Sequence, residues 1–167
     1  MLSNTELNRE FSLGLAADLA KILLQNGLQM VTAESCTGGL IAATCTELPG
    51  SSAWFERGFV TYSNDAKTEA LGVDAALIAE HGAVSEPVAR AMAVGALNHA
   101  NAQVGVAVTG IAGPTGGSAA KPVGTVWFGF MVQGQLSSET RRFDGDRAAV
   151  RAATVQHALQ RLVELLG

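Results

Sequence analysis

Three stretches of this sequence carry residue types that can do chemistry together. The first is Thr32-Ala-Glu-Ser-Cys-Thr-Gly-Gly39, which follows a short apolar run. A serine placed where a strand hands over to a helix meets free backbone N–H groups and the positive end of the helix. Such donors stabilise an alkoxide or the oxyanion of an acyl-transfer intermediate, which makes Ser35 a candidate nucleophile. Gly38 and Gly39 would let a substrate come close to the backbone and lend it their N–H groups. The plainer reading is a serine N-cap followed by packing glycines. The Gly-x-Ser-x-Gly pattern of a hydrolase elbow is absent. Cys36 is a rival nucleophile, because a thiol at a helix start ionises more readily. A buried, inert cysteine is the expectation there.

The second stretch is Phe59-Val-Thr-Tyr-Ser-Asn-Asp-Ala-Lys67. It leaves a strand and enters a helix, so Tyr62, Asn64 and Lys67 are expected at one sheet edge. The positive end of a helix disfavours a charged ammonium in its first turn, which would turn Lys67 into a base. A first-turn lysine is otherwise an ordinary solvated side chain. The third stretch is Thr109-Gly-Ile-Ala-Gly-Pro-Thr-Gly-Gly117. Its glycines, Gly110 and Gly113 among them, suit a loop that offers N–H groups to an anion or a sugar. It is neither a P-loop nor a dinucleotide fingerprint, and a flexible turn accounts for it equally well. The histidines build no triad: His81 and His99 sit at helix ends and His157 lies mid-helix.

These stretches need a frame. A first helix is predicted from about Thr5 to Gln25, capped by Ser3 or Asn4 and stopped by Gly27. Phe11, Leu15, Leu19, Ile22 and Leu23 form its apolar stripe. Leu28–Ala33 reads as a strand and Gly38–Glu47 as a second helix. Phe55–Tyr62 reads as a strand, and Asn64 caps a helix to Leu71. Further helices are expected over about Ala75–Glu80, from Ser85-Glu86-Pro87 to about Asn98, and from Asp146 to Leu166. Gln103–Thr109 reads as a buried strand. Val123–Val132 and Leu136–Phe143 make a hairpin around Gln133-Gly134. Early alternation of strands and helices followed by a hairpin predicts an α/β fold, a three-layer α/β/α sandwich around a mixed β-sheet.

Composition sets the outer limits. The 167 residues suit one domain, and 48% hydrophobic against 16% charged residues predicts a packed globule. The mean hydropathy of +0.24 comes without any apolar run long enough to span a membrane. The polar start of the chain argues against a secretory signal, so a cytoplasmic address is expected. A net charge of −4 argues against nucleic acid as a partner. Cys36, in the Ser35-Cys-Thr-Gly-Gly stretch that opens the second predicted helix, and Cys45 inside that helix are nine positions apart and are expected as reduced thiols. No cluster of ligating residues suggests a metal. So apolar a sandwich leaves room for a homo-oligomer.

Taken together, the segments AESCTGGLIAATCTELPGSSAWFERGFVTYSNDAK and VAVTGIAGPTGGSAAKPVGTVWFGF resemble the CinA C-terminal domain family, which includes stand-alone nicotinamide-nucleotide amidases. The resemblance runs from about Leu7 to Leu166 and reads residues 1–167 as one amidohydrolase domain, without the separate N-terminal domain of longer CinA proteins. It implies a bacterial Ser/Lys hydrolase whose nucleophile falls on Ser35 and whose general base falls on Lys67. Tyr62 matches a family tyrosine near the site, and Thr109 and Gly110 match the loop lining the pocket. The implied reaction is nicotinamide mononucleotide plus water giving nicotinic acid mononucleotide plus ammonia, a step in pyridine nucleotide recycling, with no metal or organic cofactor. Arg57 and the Gly110–Gly117 loop are candidates for the substrate phosphate on chemistry alone. The alternatives are a module that binds a pyridine nucleotide without turning it over, and an amidase for another small amide.

Overall fold

The computed structural model describes residues 1–167. Its centre is a five-stranded sheet in the order β2-β1-β3-β4-β5. β1 (Met30–Glu34), β2 (Phe55–Val60) and β3 (Val104–Gly110) run parallel. β4 (Thr125–Val132) and β5 (Gln135–Arg142) close the other side as an antiparallel pair. β1 and β3 are covered on both faces, which is why they read as unbroken apolar runs instead of alternating ones. At the β4–β5 hairpin, Gln133 and Gly134 both take positive φ, 50° and 83°. That backbone matches the twist of the flanking strands.

One face of the sheet carries α1 (Asn4–Asn26), α2 (Leu40–Thr46) and α6 (Arg147–Leu166). Leu19 and Leu23 of α1 and Leu159 and Leu162 of α6 pack there against Met30, Val106 and Phe128. The other face carries α3 (Asn64–Leu71), α4 (Ala75–His81) and α5 (Glu86–Asn98). There Leu71, Ile78, Val88 and Met92 pack on Val31, Ala33 and Ala107. The result is the expected mixed sheet between two helical layers.

The elements differ from the sequence reading in a few places. Ser3 caps α1 through a reciprocal capping box with Glu6, and Gly27 ends the helix at φ 63°. Phe11 faces outward, 55% exposed; the buried face of α1 runs through Ser12, Ala16, Leu19, Ala20 and Leu23. The cap of α3 is Ser63, whose hydroxyl accepts from Ala66 N–H, so Asn64 is the first helical residue. α2 begins only at Leu40, because Gly38 and Gly39 are left-handed at φ 59° and 102°. Cys36 therefore lies in a turn ahead of the helix, and Cys45 inside it; both are free and buried.

Candidate active site

β1 ends at Glu34, whose side chain is fully buried. Its carboxylate accepts from Thr37 Oγ1 at 2.6 Å, Ile41 N–H at 2.9 Å and Ala42 N–H at 3.0 Å. The start of α2 is thus satisfied from inside the fold. Ser35 is not the N-cap of that helix, and the Ile41 and Ala42 donors of its first turn are already taken. Gly38 N–H closes the turn by donating to the Ser35 carbonyl at 3.0 Å. On the α6 side, Arg151 donates from Nε to the Cys36 carbonyl and from Nη2 to the Thr37 carbonyl, both at 3.1 Å. A carboxylate on the Thr37 hydroxyl and a guanidinium on the Cys36 and Thr37 carbonyls grip the same turn.

Ser35 lies at the floor of a cavity of about 180 Å³. Lys67 reaches it from the first turn of α3, although the two residues come from different strand–helix units. Lys67 is 1% exposed, and its Nζ lies 3.0 Å from Ser35 Oγ. The Thr61 carbonyl is 2.9 Å and the Tyr62 carbonyl 3.3 Å from the same nitrogen. No carboxylate compensates the ammonium there, and burial pushes its pKa below the ordinary lysine value. The hydroxyl of Thr61 is buried with no partner in the protein. Burial, reinforced by Glu34, pushes the neighbouring Cys36 thiol up to about 11, so it stays protonated at neutral pH. Cys45 is pushed up to about 12 by the same causes.

Thr109 and Gly110 come from the end of β3 and line the cavity beside Ser35. Thr109 Oγ1 donates to the Ala83 carbonyl at 2.9 Å and holds the Ala83–Val84 wall in place. Asn64 and Tyr62 complete the rim. The Tyr62 ring is largely exposed, and its hydroxyl accepts from Arg147 Nη2 at 3.0 Å. Arg147 also donates to the Gly113 carbonyl at 2.9 Å, so Gly113 acts through its backbone, behind the rim. Beyond Arg147 the cavity adjoins a shallower hollow of about 480 Å³ lined by Ala112, Pro114, Val123 and the start of α6 with Arg147 and Arg151.

Ser35, Lys67, Tyr62, Asn64, Thr109 and Gly110 therefore meet at one cavity. Gly38, Gly39 and Arg57 do not line it. Gly38 faces Arg151, and Gly39 packs against Val60. Arg57 lies near the start of β2, at the opposite end of the sheet, tied to Glu56 and to the His99 carbonyl. No histidine lines the cavity. His157 instead bonds Glu139 at 2.8 Å and packs edge-on against Phe128. Sequence reasoning missed Glu34, Arg147 and Arg151. The spacing of Arg147 and Arg151 at i and i+4, beginning directly after the Asp144-Gly-Asp146 helix start, is the signal that puts both on one face.

The geometry can be set beside known proteins. The nicotinamide-nucleotide amidohydrolase PncC of Escherichia coli K12 is 52% identical over 149 residues, covering 89% of this chain and 90% of that protein. The enzyme of the same name from Pseudomonas putida is 54% identical over 151 residues, covering 90% and 94%. The crystal structure of a CinA superfamily protein from Klebsiella pneumoniae 700603 superposes with a TM-score of 0.90 at 40% identity, covering 93% of this chain and 97% of that one. The CinA C-terminal domain profile matches residues 13–166, and the chain belongs to that family.

Proposed function

We propose that this chain hydrolyses the carboxamide of nicotinamide mononucleotide to nicotinic acid mononucleotide and ammonia, with Ser35 as nucleophile and Lys67 as general base. The relatives at 52% and 54% identity carry that activity in their names. The observation that carries the chemistry is the 3.0 Å approach of a buried, charge-disfavoured lysine to the serine hydroxyl. As a neutral amine, Nζ has two N–H donors, and two carbonyls, those of Thr61 and Tyr62, stand ready to accept them. The lone pair is then left for the Ser35 O–H, which donates to it.

Ser35 Oγ attacks the carboxamide carbon while its proton passes to Nζ. The tetrahedral intermediate collapses by breaking the carbon–nitrogen bond, and the departing nitrogen takes the proton from Nζ and leaves as ammonia. Water next gives a proton to Nζ and attacks the acyl carbon. Oγ leaves and regains that proton, releasing the acid. The cycle balances on Lys67 alone, so this reading calls for no metal or organic cofactor. Residues 1–167 act in it as one amidohydrolase unit with a cytoplasmic address.

The 180 Å³ cavity would take the pyridine carboxamide, and the adjoining hollow the ribose phosphate. Arg147 is the cation at the join between them. Incubating the pure protein with nicotinamide mononucleotide and a panel of other small amides, with ammonia as readout, tests the reading. Turnover of the mononucleotide well above all others is the expected result. Silence on the mononucleotide with turnover of another amide would overturn it.

A further inference from the structure

We infer that the backbone N–H groups of Cys36 and Gly110 form the oxyanion hole of this site, and that Arg151 is a positioning residue that holds the Cys36 donor in line. The inference rests on the amidohydrolase reading above and names groups that reading leaves open.

Four donors of this stretch are spent. Ile41 and Ala42 N–H serve Glu34, Leu40 N–H serves the Thr37 carbonyl, and Gly38 N–H serves the Ser35 carbonyl. Neither Thr37, which is fully buried, nor Gly39 lines the cavity. Cys36 directly follows the nucleophile and does line it, and its N–H donates to no other backbone group.

The second donor follows from sheet register. Antiparallel pairs alternate between bonded and non-bonded residues. Ile111 N–H donates to the Thr125 carbonyl at 2.9 Å, so the polar groups of Gly110, one residue earlier, turn away from β4 and toward β1. β1 has ended there. Ser35 N–H bonds the Val108 carbonyl at 3.1 Å, but the Ser35 carbonyl that would receive Gly110 N–H is engaged by Gly38 instead. Gly110 N–H is left facing the cavity that it lines, beside the reacting serine.

The two residues are neighbours in the cavity lining. A Cβ at Gly110 would fall 3.1 Å from Cys36 Sγ and 2.7 Å from Val126 Cγ2. Space therefore demands glycine at 110, whereas the donor role needs only a residue other than proline. The orientation at Cys36 is set by its two flanking peptide planes. One is pinned through the Ser35 carbonyl by Gly38, and the other through the Cys36 carbonyl by Arg151. The second prong of Arg151, on the Thr37 carbonyl, stops the first from swivelling. Glu34 holds the same turn from the far side without touching either donor.

The direct test replaces Gly110 by glycolic acid, which turns one amide into an ester and deletes one N–H while leaving every side chain in place. A loss of about 10²- to 10³-fold in kcat with KM little changed is expected, as for other single oxyanion donors. Full kcat in the ester variant would overturn the hole. Arg151→Met, assayed on the mononucleotide and on the riboside that lacks the phosphate, tests the positioning role. A fall in kcat of roughly tenfold, equal on both substrates, is the expected signature of a misaligned donor. Arg151→Lys, which cannot fork onto two carbonyls, should restore only part of it. A loss confined to KM for the phosphorylated substrate would make Arg151 a phosphate ligand and overturn the positioning role. Absence of ammonia release by the wild type on both substrates would overturn the amidohydrolase reading and the hole together.

Discussion

Ser35 and Lys67 stand 32 residues apart in the chain and 3.0 Å apart in space. Cys36 is their neighbour in sequence but not their competitor, because burial holds its thiol near 11. Ser35→Ala should cut ammonia release by about 10³-fold or more, as loss of a nucleophile does elsewhere. Cys36→Ala should keep most of it, and the reverse pattern would hand the chemistry to the thiol. The lysine sets the pH dependence. Its neutral form is the active one, and burial lowers the pH at which that form takes over. kcat/KM should therefore climb with pH through one ionisation and level off below the value of about 10.4 for free lysine. Lys67→Arg should be nearly dead near neutrality, because guanidinium keeps its proton. A pH profile of kcat/KM beside the Arg variant checks both statements, and brisk turnover by the variant would remove Lys67 as the base.

At the scale of elements, the turn after β1 decides the site. Its carboxylate, Glu34, satisfies the first donors of α2 and holds Thr37. Glu34→Gln would set an amide NH₂ against N–H donors, in a site with no water-exposed surface. Leaving such a buried donor unpaired costs about 1–3 kcal/mol. At this chain length each kcal/mol lowers Tm by about 2–4 °C. Thermal unfolding of the variant should show a drop of several degrees, and an unchanged Tm would mean that the cap contributes little. This turn also marks how far the sequence could be read. Ser35, Lys67 and Thr109 were legible because each ends a strand or starts a helix, and parallel strands bring such ends to one edge. The grip of Arg151 on Cys36 spans 115 residues of chain, and no local pattern announces it. The roles expected of Gly38 and Gly39 went astray for a related reason. A Gly-Gly pair advertises an open backbone, whereas here left-handed φ values shape the turn and a buried carboxylate takes the donors that follow it.

For the whole molecule, the order of the layers determines which cations can reach the substrate. Arg57 is placed by β2 at the wrong end of the sheet, whereas the last helix brings Arg147 to the cavity mouth from the end of the chain. Arg151 is committed to the carbonyls of the Ser35 turn, which leaves Arg147 as the cation facing both the cavity and the adjoining hollow. Its side chain already bridges the rim, from the Gly113 carbonyl to the Tyr62 hydroxyl, and so is held at the join where the proposed reading puts the phosphate, a pyridine ring and a ribose away from the carboxamide. Hydrogen bonds to a charged partner are worth about 1.5–3 kcal/mol, or roughly 10- to 100-fold in affinity. Nicotinamide riboside should therefore be a much poorer substrate than the mononucleotide for the wild type. Binding energy from a remote phosphate can also be expressed in the transition state, so the gap belongs to kcat/KM. Arg147→Ala should lower kcat/KM for the mononucleotide by about that 10- to 100-fold and leave the riboside nearly untouched, so that the preference between the two collapses. Arg57→Ala should change neither. A preference for the mononucleotide that survives intact in Arg147→Ala would mean that the phosphate is read elsewhere, and loss of the preference in Arg57→Ala would return that role to the edge strand.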